Sequence, residues 1–191
     1  VSAGISRNID NRIEEMGIDP GKALGIIHPG SKGSALEWPG EAFGRLADSI
    51  SSGQDVQVIF TGGKGEKMLI DRVLQSVSAK VWTLVDCLTL KELIALLKRA
   101  DLLIANSTGP IHLAAAVGTQ VIGLYPPCTP MHARRWAPYG QLDNVIIPEV
   151  PECRKCVKES CKYWNCMGRI SVERVFQAVQ KKMNKKVSHA I

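Results

Sequence analysis

Residues 106–118, NSTGPIHLAAAVG, set two hydroxyls, a glycine, a proline and a histidine directly ahead of an alanine-rich run that reads as a buried helix. Pro110 suits the first helical position, Gly109 permits a ligand to approach closely, and Ser107 or Thr108 can cap. His112 then falls in the first turn, at the positive end of the helix, where an imidazole beside unpaired backbone amides is suited to clamping a diphosphate. A purely structural alternative has Thr108 capping the helix and His112 bonding a neighbouring carbonyl. Capping requires one hydroxyl, whereas a phosphate cradle accounts for both hydroxyls, the glycine and the histidine together.

Two other stretches are rich in glycine: PGSKGSALEWPGEAF after His28 and TGGKGEKM after Phe60. Glycines bring backbone amides close to an anion, and a following helix adds its dipole. Neither stretch contains the G-x4-G-K-[ST] pattern, and neither places G-x-G-x-x-G at the first strand of the unit, so each alone is weak evidence for phosphate binding and reads more readily as turn chemistry. A third group is Cys153, Cys156, Cys161 and Cys166, in a C-x2-C-x4-C-x4-C spacing. It is open to three readings: a four-thiolate metal site, two disulfides, or free thiols. Cys87 and Cys128 read as packing residues.

The elements that must position these groups alternate. Strand candidates are 23–28, 56–60, 80–85, 102–106, 120–125 and 144–148, several of them apolar without alternation, as strands covered on both faces are. Helices are predicted near 40–52, 64–77, 89–99, 110–117 and 171–184. Strict alternation implies right-handed crossovers and a Rossmann-like, doubly wound parallel α/β sheet. Ligands of such a sheet sit beyond the carboxyl ends of its strands, which puts the chemistry after His28, Phe60, Val85, Asn106 and Tyr125. The first twenty residues look helical and polar, without an obvious apolar partner.

The net charge of +6 is unevenly placed: residues 151–191 carry ten Lys and Arg against three Glu, or +7, which leaves −1 for the other 150 residues. A basic tail on a neutral body suits an acidic surface such as anionic lipid, or a merely solvated face. No apolar run reaches the roughly 18 residues of a membrane span, and the amino end lacks the apolar core of a signal peptide, so a cytoplasmic address is expected. Stable disulfides are disfavoured there.

Taken in order, IIHPGSKGSALEWPGEAFGRLA, VIFTGGKGE, LTLKELIALLKRADLLIANSTGPIHLAAAVGTQVIGLYPP and CRKCVKESCKYWNCMGRISVERV resemble the carboxy-terminal half of the heptosyltransferase family, glycosyltransferase family 9. The resemblance runs from about residue 22 to residue 180. It implies one half of a two-domain GT-B enzyme, inverting and independent of metal or other cofactor, that takes heptose from ADP-heptose to the lipopolysaccharide inner core at the cytoplasmic membrane face. By position, Ser107, Thr108, Gly109 and His112 match its diphosphate-binding stretch. Glu66 matches an acid that binds the ribose hydroxyls, Leu88 a position lining the adenine, and Gly30, Ser31 and Lys32 the phosphate-proximal loop. The family commonly has a lysine where this chain has Leu36 and an acid where it has Ser107; Lys32 offers a positive charge from the same loop.

The resemblance further implies three divisions: a helical lead-in at 1–21, a donor-binding domain at 22–150, and a Cys-rich basic tail with its helix at 151–191. The acceptor site and the catalytic carboxylate base are expected outside these 191 residues, which leaves the catalytic residue unassigned here. The expected partners are the nucleotide sugar, a lipid-linked saccharide acceptor and an anionic membrane surface, with no nucleic acid. The alternatives are a GT-B enzyme using a UDP- or GDP-sugar, an epimerase of that fold, and a nucleic-acid or partner-binding module acting through the basic Cys-rich tail.

Overall fold

In the computed structural model, which describes residues 1–53 and 55–187, the six apolar runs become strands. They are β1 (Ala23–His28), β2 (Val56–Gly62), β3 (Trp82–Val85), β4 (Leu102–Asn106), β5 (Gln120–Leu124) and β6 (Val145–Ile146). All neighbours pair in parallel, in the order β3-β2-β1-β4-β5-β6. The winding direction therefore reverses between β1 and β4, the position at which sheets of this kind receive ligands.

The helices are α1 (Ala3–Glu15), α2 (Gly40–Gly53), α3 (Lys67–Leu74), α4 (Leu90–Arg99), α5 (Gly109–Ala116), α6 (Ala133–Trp136) and α7 (Val172–Val187). Successive strand residues point to opposite faces, so each strand feeds two cores at once. Ile27, Phe60, Ile104 and Ile122 pack with Phe43 and Leu46 of α2, Val73 of α3, and Val175 and Val179 of α7. Their neighbours Ile26, Ile59, Leu103 and Val121 pack with Leu96 of α4, Ile111 of α5 and Ile9 of α1. Burial on both faces is why these strands are apolar throughout.

Four expectations change. The amino-terminal segment does have an apolar partner: Ile9 and Ile13 of α1 are buried in the second core, and Asp10 pairs with Arg99 of α4 at 2.7 Å. Three well-placed isoleucines, with Ile18, are sufficient where the sequence average is polar. β6 is two residues long instead of five, because it is an edge strand held only through Gly123–Val145 and Leu124–Ile146, and Pro148 has no amide to continue the ladder. α6 is an unpredicted single turn. Finally, α5 is not a buried helix: Ile111 and Ala114 are buried, while His112 and Ala116 are exposed, since one face alone meets the sheet. The start of α4 is as read, with Thr89 and Glu92 completing a reciprocal capping box.

Candidate functional site

The β4–α5 turn holds the first group. Thr108 occupies the N-cap position in extended backbone, but its side chain makes no capping hydrogen bond. Among the described residues His112 makes none either, and it stands exposed in the first turn. The structural alternative for this stretch therefore fails on both residues. Thr108, Gly109 and His112 line a cleft of about 280 Å³, closed on its other side by Pro130, Met131 and Trp136. Ser107 borders the cleft too, yet it is buried: its amide bonds Leu124 O at 3.0 Å and its hydroxyl bonds the Tyr125 phenol. Burial pushes the Tyr125 pKa up, with the Ser107 bond acting against it.

The second group lies across the switch point, in the loops after β1 and β2. Glu66 is 8% exposed, so it is not a solvated glutamate at a helix start. Its Oε2 accepts from the Gly63 amide at 2.6 Å and lies 3.8 Å from His28 Nε2. His28 Nδ1 meets Thr61 Oγ1 at 3.0 Å. A Cβ at Gly30 would overlap the Glu66 carboxylate, so Gly30 is needed for close approach, while one at Gly63 would stand 3.0 Å from the movable Lys32 Nζ. Burial pushes the His28 pKa down; Glu66 opposes this and Lys32 reinforces it. His28 is thus held neutral beneath a carboxylate and an ammonium. Lys32 reaches toward Gly63 and Glu66, the side of the crevice away from His112.

Ser31 is placed differently from a ligand-binding residue. At 2% exposure, its amide and hydroxyl both donate to Glu37 Oε1 at 2.8 Å, and its hydroxyl also reaches Ala35 O at 3.1 Å. It holds the loop closed instead of facing the crevice. Leu88 follows β3 and is half-buried, packed against the second core. Leu36 packs against the first core.

Asn106, at the end of β4, organises both groups and escaped the sequence reading. Fully buried, it donates from Nδ2 to Pro29 O at 2.6 Å and accepts at Oδ1 from Trp38 N at 2.9 Å. One amide thereby pins both ends of the β1–α2 loop against β4. Ser34 adds a tie, with its hydroxyl 2.7 Å from Ser31 O and 3.4 Å from Ser107 O. Met131 and Trp136 were missed as well, because they follow β5 by several residues and fold back only through the short α6.

The cysteines are all unbridged. Cys153, Cys156, Cys161 and Cys166 border one apolar cavity of about 160 Å³ together with Leu36, Tyr163, Trp164 and Met167. Among the described residues no three His, Cys, Asp or Glu side chains are arranged to hold a metal ion. Burial is the main reason that the Cys153 and Cys166 thiols are pushed up, and neighbouring thiols add to it. The tail lies beside the cleft. The backbones of Cys153 and Cys128 form an isolated parallel β-bridge, Thr129 N bonds Cys153 O at 2.9 Å, and Glu152 pairs with Arg134 and lies 3.5 Å from His132 Nε2. These contacts tie the tail to the segment that carries Met131 and Trp136.

Residues 8–167 match the family model described as glycosyltransferase family 9 (heptosyltransferase). The chain is 30% identical over 162 residues to the lipooligosaccharide heptosyltransferase 2 of Campylobacter jejuni, covering 82% of this chain and 49% of that protein. Among solved structures it is similar to a family 9 glycosyl transferase from Veillonella parvula, with a TM-score of 0.78 at 22% identity over 97% of this chain and 53% of the other. It is also similar to the E. coli heptosyltransferase WaaC with ADP, with a TM-score of 0.64 at 19% identity over 86% and 45% of the two chains. The chain spans about half the length of the curated relatives it matches. Among the described residues no helix is long and apolar enough to cross a membrane.

Proposed function

Since this chain belongs to glycosyltransferase family 9, the heptosyltransferases, we propose that it is the donor-binding half of an inverting GT-B transferase. On this reading it holds ADP-heptose along the carboxyl edge of its sheet for transfer to the lipopolysaccharide inner core. The observation that carries the reading is the pair Thr108 and His112, which leave their side-chain polar atoms open to a cleft at a helix amino terminus. A diphosphate there meets amides, a hydroxyl and an imidazole without first breaking bonds within the protein. As the bond from the sugar to the diphosphate breaks, negative charge grows on the leaving oxygen, and donors already in place stabilise it without reorganisation. His112 and the α5 amides fill that role.

The nucleoside extends from the diphosphate toward β2 and β3. Glu66 accepts from the ribose diol, using the Oε1 that lies over Gly30, with Lys32 alongside and Leu88 against the base. The acceptor hydroxyl, its base and the lipid-linked saccharide belong to the rest of such an enzyme. The basic segment after Pro148 suits an anionic membrane face. Calorimetric titration of residues 1–191 with ADP, UDP and GDP tests the reading. ADP is expected to bind tightest; selective binding of UDP or GDP would reassign the donor, and a failure of all three to bind would end the proposal.

A further inference from the structure

The strand order gives the donor a direction. Along the carboxyl edge the loops after β3, β2, β1 and β4 carry, in turn, Leu88, Glu66, Lys32, and Thr108 with His112. A nucleoside diphosphate sugar is linear in its connectivity: base, ribose, two phosphates, sugar. If the ribose lies at β2 and the phosphates at β4, the sugar continues the line over β5. That strand stands three spacings from β2, about 14 Å at roughly 4.8 Å per strand. The segment after β5 is the one that folds back to wall the cleft opposite Thr108 and His112.

We propose that Trp136, flanked by Met131, is the contact surface for the transferred sugar and sets the preference for a glycosylated over a bare nucleotide. The proposal rests on the donor-binding reading above. Trp136 is tethered on several sides yet left 43% exposed. Its indole N–H donates to Pro130 O at 2.8 Å, its carbonyl accepts from the Tyr125 hydroxyl at 2.7 Å, and the Arg135 guanidinium stands 5.2 Å from its ring centroid. Tyr125 is itself fully buried, so the tether is anchored in the second core. An aromatic ring fixed in orientation, with Arg135 over it and 43% of the residue still exposed, loses little further freedom when a ligand packs on its open part. A sugar presents C–H groups on its ring faces and hydroxyls at its rim. It fits a cleft whose one wall is Met131 and indole and whose other wall is polar. Nothing else in the cleft wall offers an apolar surface of comparable size.

The test is titration of residues 1–191 and of Trp136→Ala and Trp136→Phe with ADP and with ADP-heptose. The unsubstituted chain is expected to bind ADP-heptose more tightly than ADP. Trp136→Ala is expected to weaken ADP-heptose about tenfold while leaving ADP within about twofold. Trp136→Phe, which keeps a ring, is expected to recover most of that loss. Equal weakening of both ligands would overturn the proposal by placing Trp136 against the nucleotide, and unchanged binding of both would overturn it outright. If the unsubstituted chain binds neither ligand, the donor-binding reading falls, and the sugar contact falls with it. Loss confined to the alanine variant's ADP binding would also count against it.

Discussion

The β4–α5 turn and the paired β1 and β2 loops both looked like anion sites, but they use their polar groups in opposite ways. In the glycine-rich loops nearly every polar side chain has a protein partner: Ser31 with Glu37, Glu66 with the Gly63 amide, and His28 with Thr61. In the turn, Thr108 and His112 have none among the described residues. Glycine richness therefore marked a place where backbone and side chain crowd together, around the Glu66 carboxylate. Surplus hydroxyls and a histidine ahead of a helix marked a place with hydrogen-bonding capacity left over. The first region is preorganised around a single carboxylate, and the second is where a phosphate gains most on arrival.

The comparison depends on Asn106, which holds the two regions in register, and removing it is expected to have the largest effect. Asn106→Ala leaves the buried Trp38 amide and Pro29 carbonyl without partners and is expected to cost about 2–6 kcal/mol in denaturant unfolding, at about 1–3 kcal/mol per stranded buried group. A fully stable Asn106→Ala would show that the loops hold themselves.

A smaller effect sharpens the engaged side. Burial lowers the His28 pKa below its ordinary value of 6.5, so on acidification the unfolded chain takes up a proton before the folded chain does. Stability contributed by neutral His28 is complete above about pH 6.5 and is lost as pH falls toward the depressed folded value. Stability curves for the unsubstituted chain and His28→Gln should therefore converge as pH falls below that point. Parallel curves would mean that His28 is not held neutral by its surroundings.

Much of the fold was legible because the two-faced burial of a parallel sheet writes itself as apolar runs, and because Thr89 with Glu92, or Pro110 after Thr108, are local signals. What escaped depended on distance along the chain. Asn106 heads the 106–118 stretch, but its partners Pro29 and Trp38 lie some 70 positions earlier, and nothing in the sequence names them. Ser31 looked like a ligand because its partner Glu37 is six residues away, across a loop whose closure only the structure reveals. Trp136 reaches the cleft through a one-turn helix too short to leave a periodic pattern. α1 was misjudged because its polarity averages over a stripe as narrow as Ile9 and Ile13.

The contrast between engaged and open groups is tested most directly by titrating ADP into residues 1–191 and into His112→Ala at matched pH and salt, with thermal unfolding of both. Because His112 is exposed and unpartnered among the described residues, its loss is expected to leave the unfolding midpoint nearly unchanged. ADP binding should weaken by about 1.5–3 kcal/mol, the range of a hydrogen bond to a charged group. An alanine variant that binds ADP as tightly as the unsubstituted chain would contradict the assignment of the diphosphate to the β4–α5 turn.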